Sequence, residues 1–143
     1  MKFSLGFQCK AYVGPASTEP TSELKNISDL SLTLSRDAKD VTARYSGAFK
    51  VYIPGMIDPE ISFTMRADSD SASNTSLGTI RSAWLSGDAL AIKIELGDGA
   101  SFMCDAVVTN YSPTQNTEDP VSIAVTMKPT IVDDSFVPTV KDK

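Results

Sequence analysis

The chain has 143 residues, of which 41% are hydrophobic and 22% charged, with a net charge of −5; this is the composition of a folded domain and argues against a disordered polymer. No run of Lys or Arg supplies the basic stripe that tight phosphate binding needs, and no stretch approaches the ~20 apolar residues of a membrane-spanning helix. Histidine is absent, which removes His-based triads, Cys–His pairs and most transition-metal sites.

The opening MKFSLGFQCK has neither a long apolar core nor a small-residue cleavage site, so it reads as part of the fold, with Phe7 and Gln8 too bulky for a lipoprotein site at Cys9. Phe3, Leu5, Phe7, Cys9, Ala11 and Val13 recur at period two, which places them on one face of a long strand. Without an export signal, Cys9 and Cys104 are expected as two buried thiols in a reducing compartment. After the loop GPASTEPTSELKN, strands are expected at 27–34, with Leu30, Leu32 and Leu34 aligned, and at 40–46 and 48–53. Another is expected at 59–66, where Ile61, Phe63 and Met65 alternate with Glu60, Ser62, Thr64 and Arg66; Pro54-Gly55 between the last two reads as a turn.

RADSDSASNTS, 66–76, is polar and aperiodic and reads as a long mobile loop. The period then changes: Leu77, Ile80 and Trp84 fall on one helical stripe, predicting a helix over 76–86 that starts at Ser76 and ends at Gly87, with Trp84 in the core. Strands resume at 89–96, 101–111 and 120–128, with Asp98-Gly99 as a hairpin turn. Residues 1–128 are therefore expected as a single mainly antiparallel β-sandwich or partial barrel with one short α-helix. Residues 129–143 form a C-terminal extension whose Ile131, Val132, Phe136, Val137 and Val140 are too apolar to stand free.

Reactive chemistry is sparse. DSDSASN offers Asp68 and Asp70 at calcium-loop spacing, but Ala72 and Ser73 stand where a ligand and the glycine belong. Asp133-Asp134 and Glu118-Asp119 sit beside turn or tail residues and read as exposed charge, and GDGAS at 97–101 lacks the lysine and helix of a phosphate loop. No enzyme activity, metal or cofactor is expected. What stands out instead is AFKVYIPGMID, 48–58: Phe49, Val51, Tyr52, Ile53, Met56 and Ile57 crowd around Pro54 and Gly55, where a turn facing water is normally polar. Such residues need cover, and a projecting arm that packs on a neighbouring copy supplies it.

The order NISDLSLTLSRDAKDVTARYSG, then IPGMIDPEISFTMRADSD, a short helix and a closing DPVSIAVTMKPT resembles the major tail tube proteins of long-tailed, non-contractile (siphovirus-like) bacteriophages over nearly the whole chain. The resemblance implies a β-sandwich whose copies close into a hexameric ring, with inner sheets joined around a channel and rings stacked into a tube for DNA. It implies an inter-subunit arm at Phe49, Val51, Tyr52, Ile53, Pro54, Gly55, Met56 and Ile57. Partners would be further copies of the chain and tape-measure, tail-tip and tail-terminator proteins, with no membrane; the place would be the virion tail, and the host cytoplasm during assembly. A wall of small polar, net negative groups would let DNA slide, and Asp29, Ser31, Thr33, Ser122 and Thr126 are candidate lumen-facing residues. The alternatives are a tube subunit of a type VI-like injection device, or a carbohydrate- or protein-binding β-sandwich that exposes Trp84 or Tyr111 in a groove.

Overall fold

Period-two alternation sets the architecture. In a computed structural model, which describes residues 10–25, 27–66 and 71–142, most of the buried apolar side chains are alternate residues of five strands. These are Ala11 and Val13 of β1 (Ala11–Pro15), Ile61, Phe63 and Met65 of β4 (Tyr52–Arg66), and Ile92 and Ile94 of β5 (Leu90–Glu95). Phe102, Cys104 and Ala106 of β6 (Ser101–Thr114) and Ile123, Val125 and Met127 of β7 (Ser122–Thr130) complete the set. Strands β2 (Ser22–Glu23), β3 (Ile27–Asp40) and β8 (Thr139–Lys141) complete one open sheet in the order β2-β1-β5-β6-β7-β4-β3, with β8 against β6. One cluster joins the apolar residues of β1 and β5 to those of β4 and β7, so the sheet folds over its own apolar face as a partial barrel. A fully buried side chain such as Ile61, Ile92 or Met127 contributes about 1.5–3 kcal/mol by leaving water.

Helix α1 (Ser71–Ser86) packs on β6 and adds Leu77, Ile80 and Ala83 to the buried set. It begins at Ser71, well before the expected start at Ser76, because its first turns carry no apolar stripe that a sequence pattern can register; the expected loop at 66–76 is thus helical from Ser71, and 67–70 lie outside the described residues. Trp84 is not in the core: it is 42% exposed. Small Ala83 takes the place against the sheet, and the indole lies at the margin, stacked on Tyr111 with ring centroids 5.8 Å apart.

The four strands expected across 27–66 are two long ones. β3 runs unbroken through 34 to Asp40, and residues 41–51 form the connection, with a 3-10 turn at Arg44–Ser46 where the strand 40–46 was expected. That connection is held by side chains: Asp40 accepts hydrogen bonds from the Thr42 hydroxyl (2.6 Å) and amide (2.9 Å), and the Val51 amide donates to Thr42 Oγ1 at 3.0 Å. The bonds from Thr42, hydroxyl first, hold the Asp40 carboxyl below its ordinary pKa. Pro54-Gly55 is not a turn. It lies inside β4, where Pro54 pairs with Ala38 directly after a register shift between Arg36 and Ala38, and a bulge tolerates a residue with no N–H to donate. A Cβ on Gly55 would come within 3.0 Å of the Asp37 carbonyl oxygen, which explains glycine at this spot.

After Thr130 the chain makes an excursion over 131–138 and returns as β8, pairing Thr139, Val140 and Lys141 with Met103, Phe102 and Ser101. Among the described residues, only these last residues of the tail join the sheet, while Ile131, Val132, Val137 and Val140 stay about half exposed. An apolar hollow remains between β8 and the root of the β3–β4 ribbon, lined by Leu34, Ile57, Pro59, Phe102, Pro129 and Val140. Cys104 is buried and free, and burial, followed by the neighbouring Asp105 charge, pushes its thiol up to about 12; Cys9 lies outside the described residues.

Candidate assembly surface

Three features of the sheet remain unsatisfied within one chain. The first is the ribbon. β3 and β4 pair along their whole length, from Ile27 with Met65 to Asp40 with Tyr52, whereas β7 pairs with β4 only from Ile61 to Arg66. The outer half is therefore a two-stranded arm open to water on both faces. Along it Tyr52, Ile53 and Ile57 are about half exposed, Phe49 is 79% and Met56 92% exposed, and Tyr45 at the tip is 92% exposed. Each of these apolar side chains leaves about half or more of its surface without intramolecular cover among the described residues.

The second feature is the face opposite the core. Residues paired across antiparallel strands point to the same side. Register links Ser31 to Ser62, Ser62 to Thr126 and Thr126 to Asn110, and a neighbouring row runs Ser28, Thr64, Ala124, Ser112. Arg66, Ser122 and Thr114 make a further row, and Thr33 stands opposite Glu60. Of the five wall candidates, register therefore brings Ser31, Thr33, Ser122 and Thr126 onto one face. Asp29 is exposed but lies in the bulge between Ser28 and Ser31, with a φ of 54° and no register partner. Ser62, Thr64, Asn110 and Ser112 belong to the same face and were not singled out from sequence, although the alternation in 59–66 already separates Ser62 and Thr64 from their apolar neighbours.

Charge on this face is balanced, not strongly negative. It carries Arg66 and Lys128 as well as Asp58 and Glu60, and on the arm Lys39 lies 3.8 Å from Asp37. The Lys128 ammonium is 3.1 Å from Glu60 Oε2 and 3.5 Å from Asp58 Oδ1, and its pKa is raised, first by the hydrogen bond to Glu60.

The third feature is a pair of strand edges. β3 has only β4 as a neighbour, and β5 pairs with β6 only as far as Ala106, so Val107–Thr114 are paired on the β7 side alone among the described residues. Among the described residues the subsheet β6-β7-β4-β3 thus has a free edge on each side, and its two edge strands run in opposite directions. A β6 edge laid beside the β3 edge of another copy makes the same antiparallel junction as those inside the sheet.

Asp105 is the one charged residue among the described residues that is fully buried. Its carboxylate accepts hydrogen bonds from the Ser17 amide (2.8 Å) and hydroxyl (3.0 Å), which ties down the loop between β1 and β2. No group of His, Cys, Asp or Glu among the described residues is arranged to hold a metal. Trp84 and Tyr111 stack on each other, with Arg81 Nε donating to the Tyr111 hydroxyl at 3.1 Å, so each ring covers a face of the other.

An open, bent antiparallel sheet with one packed helix and a long ribbon is shared with chains of solved tail assemblies. The chain superposes on the tail of an empty gene transfer agent (GTA) particle, solved by helical refinement with C6 symmetry, with a TM-score of 0.76 and 10% identity over 97% of this chain and 98% of that one. It matches the SPP1 tail tube at a TM-score of 0.68 and 10% identity, over 98% of this chain and 80% of that one. A chain in the six-fold symmetrised baseplate of the anti-feeding prophage gives 0.61 at 7% identity, over 94% and 92%. Neither a protein-family model nor a curated protein matches the sequence.

Proposed function

We propose that the chain is a structural, non-enzymatic subunit that assembles into stacked rings forming a phage tail tube, through which DNA passes. The observation that carries this reading is the subsheet β6-β7-β4-β3, antiparallel throughout, free at both edges among the described residues and polar on one face. Edge-to-edge addition of identical copies is heterologous, and such contacts close into rings when the rotation permits. With the C6 symmetry of the GTA tail, four strands per copy would give a barrel of twenty-four (6 × 4), well beyond the roughly 16–18 strands at which barrels already enclose water. The Ser, Thr and Asn face would line the lumen, offering DNA neither aromatic stacking platforms nor a basic groove. Asp29, Ser31, Thr33, Ser122 and Thr126 remain the proposed wall residues, and the arm at Phe49–Ile57 the proposed contact with neighbouring copies.

The chain would reside in the virion tail, after assembly in the host cytoplasm alongside tape-measure, tail-tip and tail-terminator proteins. Electron microscopy of the purified protein over rising concentration tests the reading. Rings or tubes are expected; particles that stay monomeric at every concentration, and also when seeded with tube fragments, would refute it.

A further inference from the structure

Lys128 is a cation that a passing phosphate would meet on the body of the polar face, beside Glu60 of β4, whereas Arg66 ends that strand and Lys39 lies out on the arm beside Asp37. In a tube it would recur in every subunit of every ring, and repeated ammonium groups bind duplex DNA cooperatively through release of its counterions. The structure surrounds this lysine with two carboxylates: Glu60 at 3.1 Å and Asp58 at 3.5 Å, both on β4 and both on the same face. All three side chains are more than a third exposed, and exposed ion pairs add little to folding stability. Their value therefore lies in the surface they present.

We propose that Asp58 and Glu60 serve to occupy Lys128, turning a phosphate-binding point on the wall into a locally negative one that DNA slides past. This rests on the tube reading above. The local charge is +1 for Lys128 alone and −1 with both carboxylates (1 − 2). Geometry favours retention of the clasp during transit, since Glu60 is directly hydrogen-bonded to the ammonium and Asp58 stands beside it.

The test uses tubes of the full chain, linear duplex DNA as the probe, and nuclease-resistant DNA co-sedimenting with tubes as the readout. Wild-type tubes are compared with Asp58→Asn/Glu60→Gln, with Glu60→Gln alone, and with Asp58→Asn/Glu60→Gln/Lys128→Gln. The double variant is expected to protect at least about tenfold more DNA than wild type at about 50 mM salt and to lose it by about 200 mM, with Glu60→Gln intermediate and the triple variant back at the wild-type level. Tubes that form but protect no more DNA in either carboxylate variant overturn the inference alone, as does protection that persists in the triple variant. Wild-type protein that forms no tubes overturns the tube reading and this inference together.

Discussion

Replacing Phe49 and Met56 together with serine separates an arm that packs on a neighbour from one that serves its own fold. Both side chains lie almost wholly in water, at 79% and 92% exposure, so the isolated chain loses no packing when they go, and surface changes of this kind stay within about 0.5 kcal/mol. Covered by a neighbouring copy, each contributes about 1.5–3 kcal/mol, or about 3–6 kcal/mol gross for the pair. Ordering the arm and its contact offsets part of that. If about half survives, the concentration needed for assembly rises about 10- to 150-fold. Thermal unfolding of the dilute protein and sedimentation over a concentration series read the two quantities separately. A melting temperature lowered by several degrees with assembly unchanged would refute the reasoning, because the residues would then be supporting their own subunit.

Two further outcomes follow from the interior. Asp105→Ala leaves the Ser17 amide and hydroxyl facing a methyl group, which costs about 1–3 kcal/mol, and the melting temperature should drop by about 3–10 °C; an unchanged value would mean that the carboxylate does not anchor the loop between β1 and β2. Cys104, with its thiol raised from 9.0 to about 12 by burial and the Asp105 charge, should resist alkylation in the native protein at pH 8 to 9 and react on unfolding, as read by mass spectrometry in a Cys9→Ser background. The raised pKa favours the folded state fully below pH 9, and this contribution fades as the pH rises from 9 towards 12.

Alternation made most of the sheet legible: Ile61, Phe63 and Met65, Ile92 and Ile94, and Ile123, Val125 and Met127 fall inside for the reason their spacing gives. The errors have separate physical causes. Pro54-Gly55 carries the chemistry of a turn, but a long ribbon absorbs it as a bulge, because only the partner strand reveals that Gly55 must accommodate the Asp37 carbonyl. The start of α1 is polar, so periodicity had nothing to detect, and Trp84 shares the side of Leu77 yet lies partly exposed against Tyr111 while Ala83 is buried.

Pairing explains what was missing from the candidate surface. Period two separates Ser31 and Thr33 from Leu32, but which strand lies beside them is a long-range fact, so the row through Ser62, Thr126 and Asn110 was invisible. The same holds for Lys128, whose partners Asp58 and Glu60 lie on β4, far away in sequence.

The central claim concerns ring closure, and a cryo-EM map of the assembled tube at side-chain resolution tests it directly. The account predicts β3 of one subunit running antiparallel against Val107–Thr114 of the next, with Ser31, Ser62 and Thr126 facing the channel. A map in which those edges meet solvent, or in which Phe63 and Val125 face the channel instead, would contradict it.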